Sequence, residues 1–225
     1  MRRLGIVAVG LALLWGIGCA NDNTRQTALL PVSSSPPATP VPPAEVELLK
    51  EQILTAFKAQ LVEAFRADVK EILAGLSPEQ REEYKRQWQE FEQELERPAP
   101  TLPPEQRAEW AENLRANWDA IEEVLDALRG IRNVEERQEY VFYELVYPEL
   151  GGPGKYGIPP EVRHIIYVQL LPAMADWPRS QAETYMAALR ALTPEDFTSL
   201  EHEVAKEEHE VAKEELAEID AAIGE

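Results

Sequence analysis

Histidine and glutamate side chains on one predicted helix are the first candidates for chemistry. The heptad HEVAKEE occupies residues 202–208 and recurs unchanged at residues 209–215. Imidazole and carboxylate groups can bind a divalent metal together, and two ligands on one helix are favoured at a spacing of three or four residues. From His202 those positions hold Ala205 and Lys206. His202 and His209 would lie about 10 Å apart along the helix axis, which is too far for a shared ion.

We therefore predict no metal site and no cofactor. Because Val and Ala are its only apolar residues, the repeat is interpreted either as a narrow apolar seam or as a largely solvated helix. Its glutamates are expected to form a solvated acidic face. Weak divalent binding is the alternative, with four glutamates as ligands: Glu203, Glu207, Glu210 and Glu214.

No other residues form a recognisable catalytic motif. The sequence GGPGK at 151–155 is similar to a phosphate-binding loop, but Tyr156 stands where Ser or Thr is required and Glu149 where the first Gly belongs. This segment is interpreted as a connector, with a hinge or partner-binding edge as the alternative. Acidic pairs such as Asp68 and Glu71 are abundant, yet nothing selects one pair as acid and base. We predict that the protein is not an enzyme, and we keep a hydrolase that uses carboxylates as an alternative.

The first residues have the form of a secretory signal peptide. Arg2 and Arg3 are followed by an uncharged apolar stretch from Leu4 to Ile17. That stretch is too short for a transmembrane helix, which needs about 20 residues. We expect export from the cytoplasm.

The end of this stretch resembles the lipobox of bacterial lipoproteins, where small residues precede a Cys that becomes the lipidated N-terminus. Gly18 and Cys19 match that pattern, and Cys19 is the only Cys in the chain. Gly16 departs from it, because an aliphatic residue is usual there. The resemblance implies cleavage after residue 18 and a lipid on Cys19. An ordinary signal peptide cut after Ala20 is the alternative.

A linker and a helical body are predicted to follow, so that the domains are 1–18, 19–43 and 44–225. Three serines and six prolines in residues 20–43 favour an extended, flexible spacer that could reach roughly 75 Å. A ligand for proline-recognising domains is the alternative for this segment. The Gly- and Pro-rich stretch 148–160 is a possible boundary within the body.

The body is predicted to be an all-α antiparallel helical bundle with a long C-terminal helix. Apolar residues recur every three or four positions from Val46 to Ile72, which predicts a first helix that ends at Gly75. Further helix starts are predicted at Pro78, Pro104 and Pro194. Shorter helices are expected over 134–147, 161–171 and 178–192, although 140–147 also has strand-like content.

Two predicted helix starts are near copies, LSPEQR at 76–81 and LPPEQR at 102–107. They resemble the LTxxQ motif of the periplasmic helical family that includes the envelope-stress chaperone Spy. The resemblance implies an all-helical cradle, often dimeric, that binds unfolded clients and in some members responds to metals. Ser77 and Pro103 replace the family's Thr, and a cap followed by Pro, Glu and Gln is also a generic helix start.

The aromatic residues are divided between a predicted core and predicted partner contacts. Trp118 lies in the middle of an apolar seam and is expected in the core, and His164, beside two isoleucines, is expected at the core edge. Four aromatic residues are candidates for partner binding: Trp88, Trp110, Tyr156 and Trp177.

The net charge of the chain limits the classes of partner that it can bind. With 41 acidic and 22 basic side chains the formal charge is −19, so the chain repels phosphate backbones and we exclude nucleic acid. We expect a lipid-anchored, extracytoplasmic helical protein that binds other proteins or envelope components without catalysis, with a homodimer among the options. Because Ala20 rather than Asp follows the Cys, the outer membrane is favoured in a bacterium that has two membranes. The alternatives are a Spy-like chaperone or metal-responsive protein, and an envelope hydrolase.

Overall fold

A computed structural model of the chain describes residues 42–147 and 157–223. Within those residues all regular structure is helical, in seven helices, and no strand occurs. The predicted all-α bundle with a long C-terminal helix is therefore confirmed. The predicted signal peptide, Cys19, the Pro-rich linker up to residue 41 and Tyr156 lie outside the described residues.

The helix boundaries follow the proline and cap signals of the sequence. Ser77 begins the second helix with a complete capping box, in which its hydroxyl accepts from the Gln80 backbone while the Gln80 side chain accepts from the Ser77 backbone. Asn133 caps the fourth helix. The seven helices are α1 (Pro43–Ala74), α2 (Pro78–Leu95), α3 (Pro104–Leu128), α4 (Val134–Val141, continued by a π-helical turn at Phe142–Val146), α5 (Pro160–His164, a π-helical segment at Ile165–Leu170 and a last turn at Leu171–Met174), α6 (Arg179–Arg190) and α7 (Pro194–Ile223).

The long helix α7 packs along α1 and also against α2 and α3. Lysines of α1 meet acidic residues of α7 in the same order along both helices, so these two helices run parallel, whereas α2 runs antiparallel to α7. Such partly exposed ion pairs contribute at most about 1 kcal/mol each, so their main effect is on register. The pairs are Lys50–Asp196 at 3.2 Å, Lys58–Glu203 at 3.2 Å, Lys58–Glu207 at 2.7 Å and Lys70–Glu215 at 3.5 Å.

The arginines of the two near-copy motifs reach opposite ends of α7. Arg81 donates to the Leu76 carbonyl at 2.7 Å, and its Nε lies 3.5 Å from a carboxylate oxygen of Asp220. Arg107 forms an ion pair with Glu195 in the first turn of α7. Both motifs therefore help to position α7, in addition to starting their own helices.

The apolar core lies between α1, α3, α5, α6 and α7. Trp118 is 2% exposed, as predicted. The apolar stripe of α1 ends differently from the prediction, since Leu73 is buried while Ile72 is 48% exposed. The predicted core-edge position of His164 is wrong, because this side chain is exposed. Adjacent helical residues point about 100° apart, so burying Ile165 turns His164 outward.

A buried arginine joins α4 to the end of α5. Arg137 donates from two guanidinium nitrogens to the Asp176 carboxylate, at 2.7 and 2.8 Å, and from Nε to the Ile131 carbonyl at 2.7 Å. The hydrogen bonds from Arg137 hold the pKa of Asp176 below its usual value. Two parallel hydrogen bonds between a guanidinium and a carboxylate fix the relative orientation of the two side chains as well as their distance.

The duplicated heptad allows a test of how α7 packs. Insertion of two alanines after Glu208 rotates everything beyond it by about 200°, whereas deletion of residues 209–215 keeps the same face within about 20°. Leu216 is buried and Ile219 packs against the core, and burial of one Leu side chain is worth about 1.5–3 kcal/mol. We expect the insertion to lower the melting temperature more than the deletion, measured by circular dichroism. Equal losses would contradict the packing of Leu216 and Ile219.

Candidate functional site: a groove between α2 and α7

An open groove of about 490 Å³ lies between α2 and α7. One face of α2 and the facing side of the second half of α7 form it, with Trp88 and Leu216 as its large apolar side chains. The lining residues are Lys85, Trp88, Gln89, Glu92, His209, Lys213, Leu216, Ala217 and Asp220. The groove thus combines an aromatic and aliphatic surface with charges of both signs.

Two of the charged residues are paired to each other. Lys85 Nζ donates to Asp220 at 2.6 Å and to Glu82, outside the groove, at 2.7 Å. Hydrogen bonds to Asp220 and then Glu82 raise the pKa of Lys85, and the bond from Lys85 lowers the pKa of Asp220. Two lysines and two carboxylates line the groove, so the formal charges of these four residues balance, in contrast to the acidic chain as a whole.

His209 is the buried polar residue of this groove. It is 7% exposed, and neither of its ring nitrogens has a hydrogen-bond partner. Its ring packs against the indole of Trp88, with centroids 5.2 Å apart and planes at 36°. Nε2 lies 3.5 Å from Oε1 of Glu92, and the Lys213 ammonium lies 3.9 Å from the same oxygen.

The two copies of the heptad have different surroundings. In the second copy Val211 and Ala212 are buried together with His209, so the seam interpretation of the repeat is correct and the interpretation as a largely solvated helix is wrong. Four of the six glutamates of the repeat (Glu203, Glu207, Glu210 and Glu214) are exposed, as predicted for an acidic face, whereas Glu208 is half-buried and Glu215 is buried. In the first copy Glu203 pairs with Lys58 of α1, while its counterpart Glu210 lies near His209 and Glu92.

A cation could be held at this point. Glu92, His209 and Glu210 each offer one ligand atom, and these three atoms lie within 4.8 Å of one another. No spacing within α7 alone predicts this set, because Glu92 comes from α2.

No protein-family model, curated protein or solved structure matches this chain. In the described part of the chain, no helix combines the length and the apolar character needed to cross a bilayer.

The predicted partner-binding residues do not form one site. Trp88 lines the groove. Trp110 instead packs on the backbone of Gly157 and donates its indole N–H to that carbonyl, and a Cβ at Gly157 would lie 2.3 Å from the Trp110 ring. Trp177 is half-buried and meets Tyr185 edge-on, with ring centroids 5.3 Å apart. These positions give Trp110 and Trp177 a packing role, and only Trp88 borders the groove.

The sequence analysis missed the rest of the groove. Gln89 and Glu92 of α2 and Asp220 of α7 received no role from their sequence. The available signal was the position of Glu92, four residues after Trp88 and therefore on the same helical face. The matching face of α7 could not be identified without knowing that α2 packs on it.

A second exposed aromatic surface lies at the π-helical turn after α4. Tyr143 and Tyr147 are 63% and 62% exposed, with ring centroids 6.4 Å apart, and each also contacts Phe142. Val168, on the neighbouring π-helical segment of α5, is also exposed. We call Phe142, Tyr143 and Tyr147 the tyrosine patch.

The pKa of Glu208, on α7, is strongly shifted. Burial raises its pKa from the ordinary value of 4.5 to about 7, and the negative charge of Glu161 on α5 adds to the effect. The pKa of Tyr84 on α2 is raised in turn, mainly by burial and also by Glu208, although its hydrogen bond with Trp88 opposes this. Glu208 therefore carries a proton in part of the neutral range.

This shift predicts a pH dependence of stability. In the unfolded chain Glu208 loses its proton above about pH 4.5, whereas in the folded protein it keeps the proton up to about pH 7. The free-energy cost of burying the charged carboxylate therefore destabilises the folded protein fully above about pH 7 and disappears as the pH falls toward 4.5. We expect wild-type stability, relative to Glu208→Gln, to rise as the pH falls from about 8 to about 5. Denaturant unfolding at several pH values measures it. Glu214→Gln, at an exposed site on α7, is the control, and an identical pH profile for both variants would refute the assignment.

Proposed function

We propose that the protein is a lipid-anchored, extracytoplasmic helical protein whose body binds another polypeptide in the groove between α2 and α7. The observation that carries the proposal is the half-buried Trp88, which borders an open groove rather than the closed core. Tryptophan is enriched among the few residues that carry most of the binding energy of protein interfaces. No catalytic step is part of the proposal.

The composition of the groove favours a polypeptide over a small polar ligand. Trp88 and Leu216 offer apolar area for one or two side chains of a partner, while Gln89 and the charged residues can bind its backbone and polar groups. Charges of both signs at the edge of the groove affect which partner binds, and in which position it binds, more than they affect the affinity.

The anchor is supported by the sequence. Cys19 follows an uncharged apolar stretch and precedes a Pro- and Ser-rich segment that could reach roughly 75 Å and so hold the body away from a bilayer. In a bacterium with two membranes the proposal favours the outer membrane.

The tyrosine patch favours a second candidate, a Spy-like chaperone. A chaperone binds many unfolded clients through exposed apolar or aromatic surface, and Tyr143 and Tyr147 provide such surface. This candidate also accounts for the LTxxQ-like repeats. It differs from the leading proposal in the surface used, so clients would contact the tyrosine patch rather than the groove.

The anchor is tested by Cys19→Ala. We expect the variant to leave the membrane fraction and to lose metabolic labelling by palmitate, because no thiol remains to accept the lipid. Fractionation and labelling in the native host measure both effects. A wild-type protein that is already soluble, with Asn21 as its first residue, would support the ordinary signal peptide instead.

The groove is tested by photo-crosslinking in living cells. We place a photoreactive residue either at Gln89 in the groove or at Tyr143 in the tyrosine patch. Crosslinks of defined mass are expected from Gln89, and Trp88→Ala should abolish them while Trp177→Ala leaves them intact. Many heterogeneous crosslinks from Tyr143 and none from Gln89 would favour the chaperone.

A stability measurement separates lost binding from lost folding. Trp118→Ala in the core should cost about 3–5 kcal/mol, whereas Trp88→Ala should cost clearly less, because that side chain is only half-buried. If Trp88→Ala unfolds the protein as readily as Trp118→Ala, Trp88 is a core residue and the groove proposal fails.

A further inference from the structure

We propose that Glu92, His209 and Glu210 bind one divalent transition-metal cation, for which Zn²⁺ is the best match, at the wall of the groove. The three ligand atoms lie within 4.8 Å of one another, and the Glu92 Oε1 to His209 Nε2 distance is 3.5 Å. The site joins α2 to α7 and does not depend on the proposed polypeptide partner.

His209 supplies an independent reason to expect a ligand. Its imidazole is buried, yet both nitrogens lack hydrogen-bond partners. An unsatisfied buried polar group is costly, so such groups normally have a protein, solvent or ion partner. A metal bound at Nε2 would supply a partner for one of the two nitrogens, and the packing of the ring on Trp88 restricts the orientation of the imidazole in advance.

The donor set and its dimensions fit zinc. Zinc binds imidazole nitrogen and carboxylate oxygen at about 2.0–2.2 Å, so neighbouring donors of a tetrahedral site are roughly 3.3 Å apart. The Glu92–His209 pair is already close to that separation. Glu210 is exposed and can turn inward, and a fourth position is left for water. One nitrogen and two oxygens also suit other divalent transition metals, whereas calcium prefers oxygen ligands alone.

The ammonium group of Lys213 competes with this cation for the Glu92 carboxylate. Its ammonium lies 3.9 Å from the same Glu92 oxygen that faces His209. A bound metal would have to share or displace that charge interaction. The positive charge of Lys213 should therefore weaken metal binding, and its removal should strengthen it.

The heptad duplication provides matched controls for each variant. His202, Glu203 and Lys206 have the same sequence neighbours as His209, Glu210 and Lys213, but among the described residues they belong to no three-ligand cluster. Each substitution in the second copy can thus be compared with the identical substitution in the first.

The experiment titrates ZnCl₂ into the full chain by isothermal calorimetry. All samples carry Cys19→Ala, so that neither a thiol nor a lipid contributes, and no His tag is used. Loss of a residue that merely supports a metal ligand costs about 10- to 100-fold in affinity. We therefore expect His209→Gln to abolish one-equivalent binding, and Glu92→Gln and Glu210→Gln to weaken it at least tenfold on the same basis. Lys213→Gln should tighten it.

The controls decide the outcome. His202→Gln and Glu203→Gln should leave the affinity unchanged, and Lys206→Gln should not tighten it. Equal effects in both copies, or several weak equivalents with no loss in His209→Gln, would show diffuse binding to the acidic surface and overturn the proposal. Wild-type protein that binds no zinc would overturn it as well. Because Glu210 and Glu203 are both exposed, neither substitution should perturb folding, so a loss of affinity in Glu210→Gln alone would reflect loss of a metal ligand.

Discussion

The burial of α7 is the constraint on which the rest of the structure depends. This helix is strongly acidic, and its apolar seam in the repeat consists only of Val and Ala side chains such as Val204, Val211 and Ala212. Small side chains allow neighbouring helices to approach closely but bury little area per turn. Stability must therefore come from contact along the full length of α7, with the α1 lysines neutralising part of its acidic face. The same contact places the second half of α7 beside α2 and creates the groove.

Local signals were sufficient to predict the helices. Pro and Ser, Asn or Thr at the helix starts specify boundaries through caps that act within a few residues. These signals do not depend on the tertiary fold, so they could be recognised without it. The seam position of Trp118 was predictable for the same reason.

The groove could not be predicted, because its two walls are more than a hundred residues apart in the sequence. His202 and His209 occupy the same position in identical heptads, yet only His209 faces Trp88 and Glu92. The heptad sequence itself therefore carries no signal that distinguishes the two histidines. The burial of Leu73 and the exposure of Ile72 were not predicted for a related reason. The apolar stripe winds around α1 and meets different neighbouring residues along its length, and those neighbours decide which side chain is buried.

The repeat in α7 also bears on the uniqueness of the fold. Because residues 202–208 and 209–215 are identical, a displacement of α7 by one heptad would place one copy of the repeat in the environment of the other, and it is a competing arrangement that the fold must disfavour. Residues outside the repeat disfavour a displacement of α7 in either direction along its axis. Displacement one way brings Glu207 to the buried site of Leu200, and displacement the other way brings Lys213 to the site of Asp220, against Arg81 and Lys85. Leu200 and Asp220 therefore disfavour both displaced registers and help to specify a single native state.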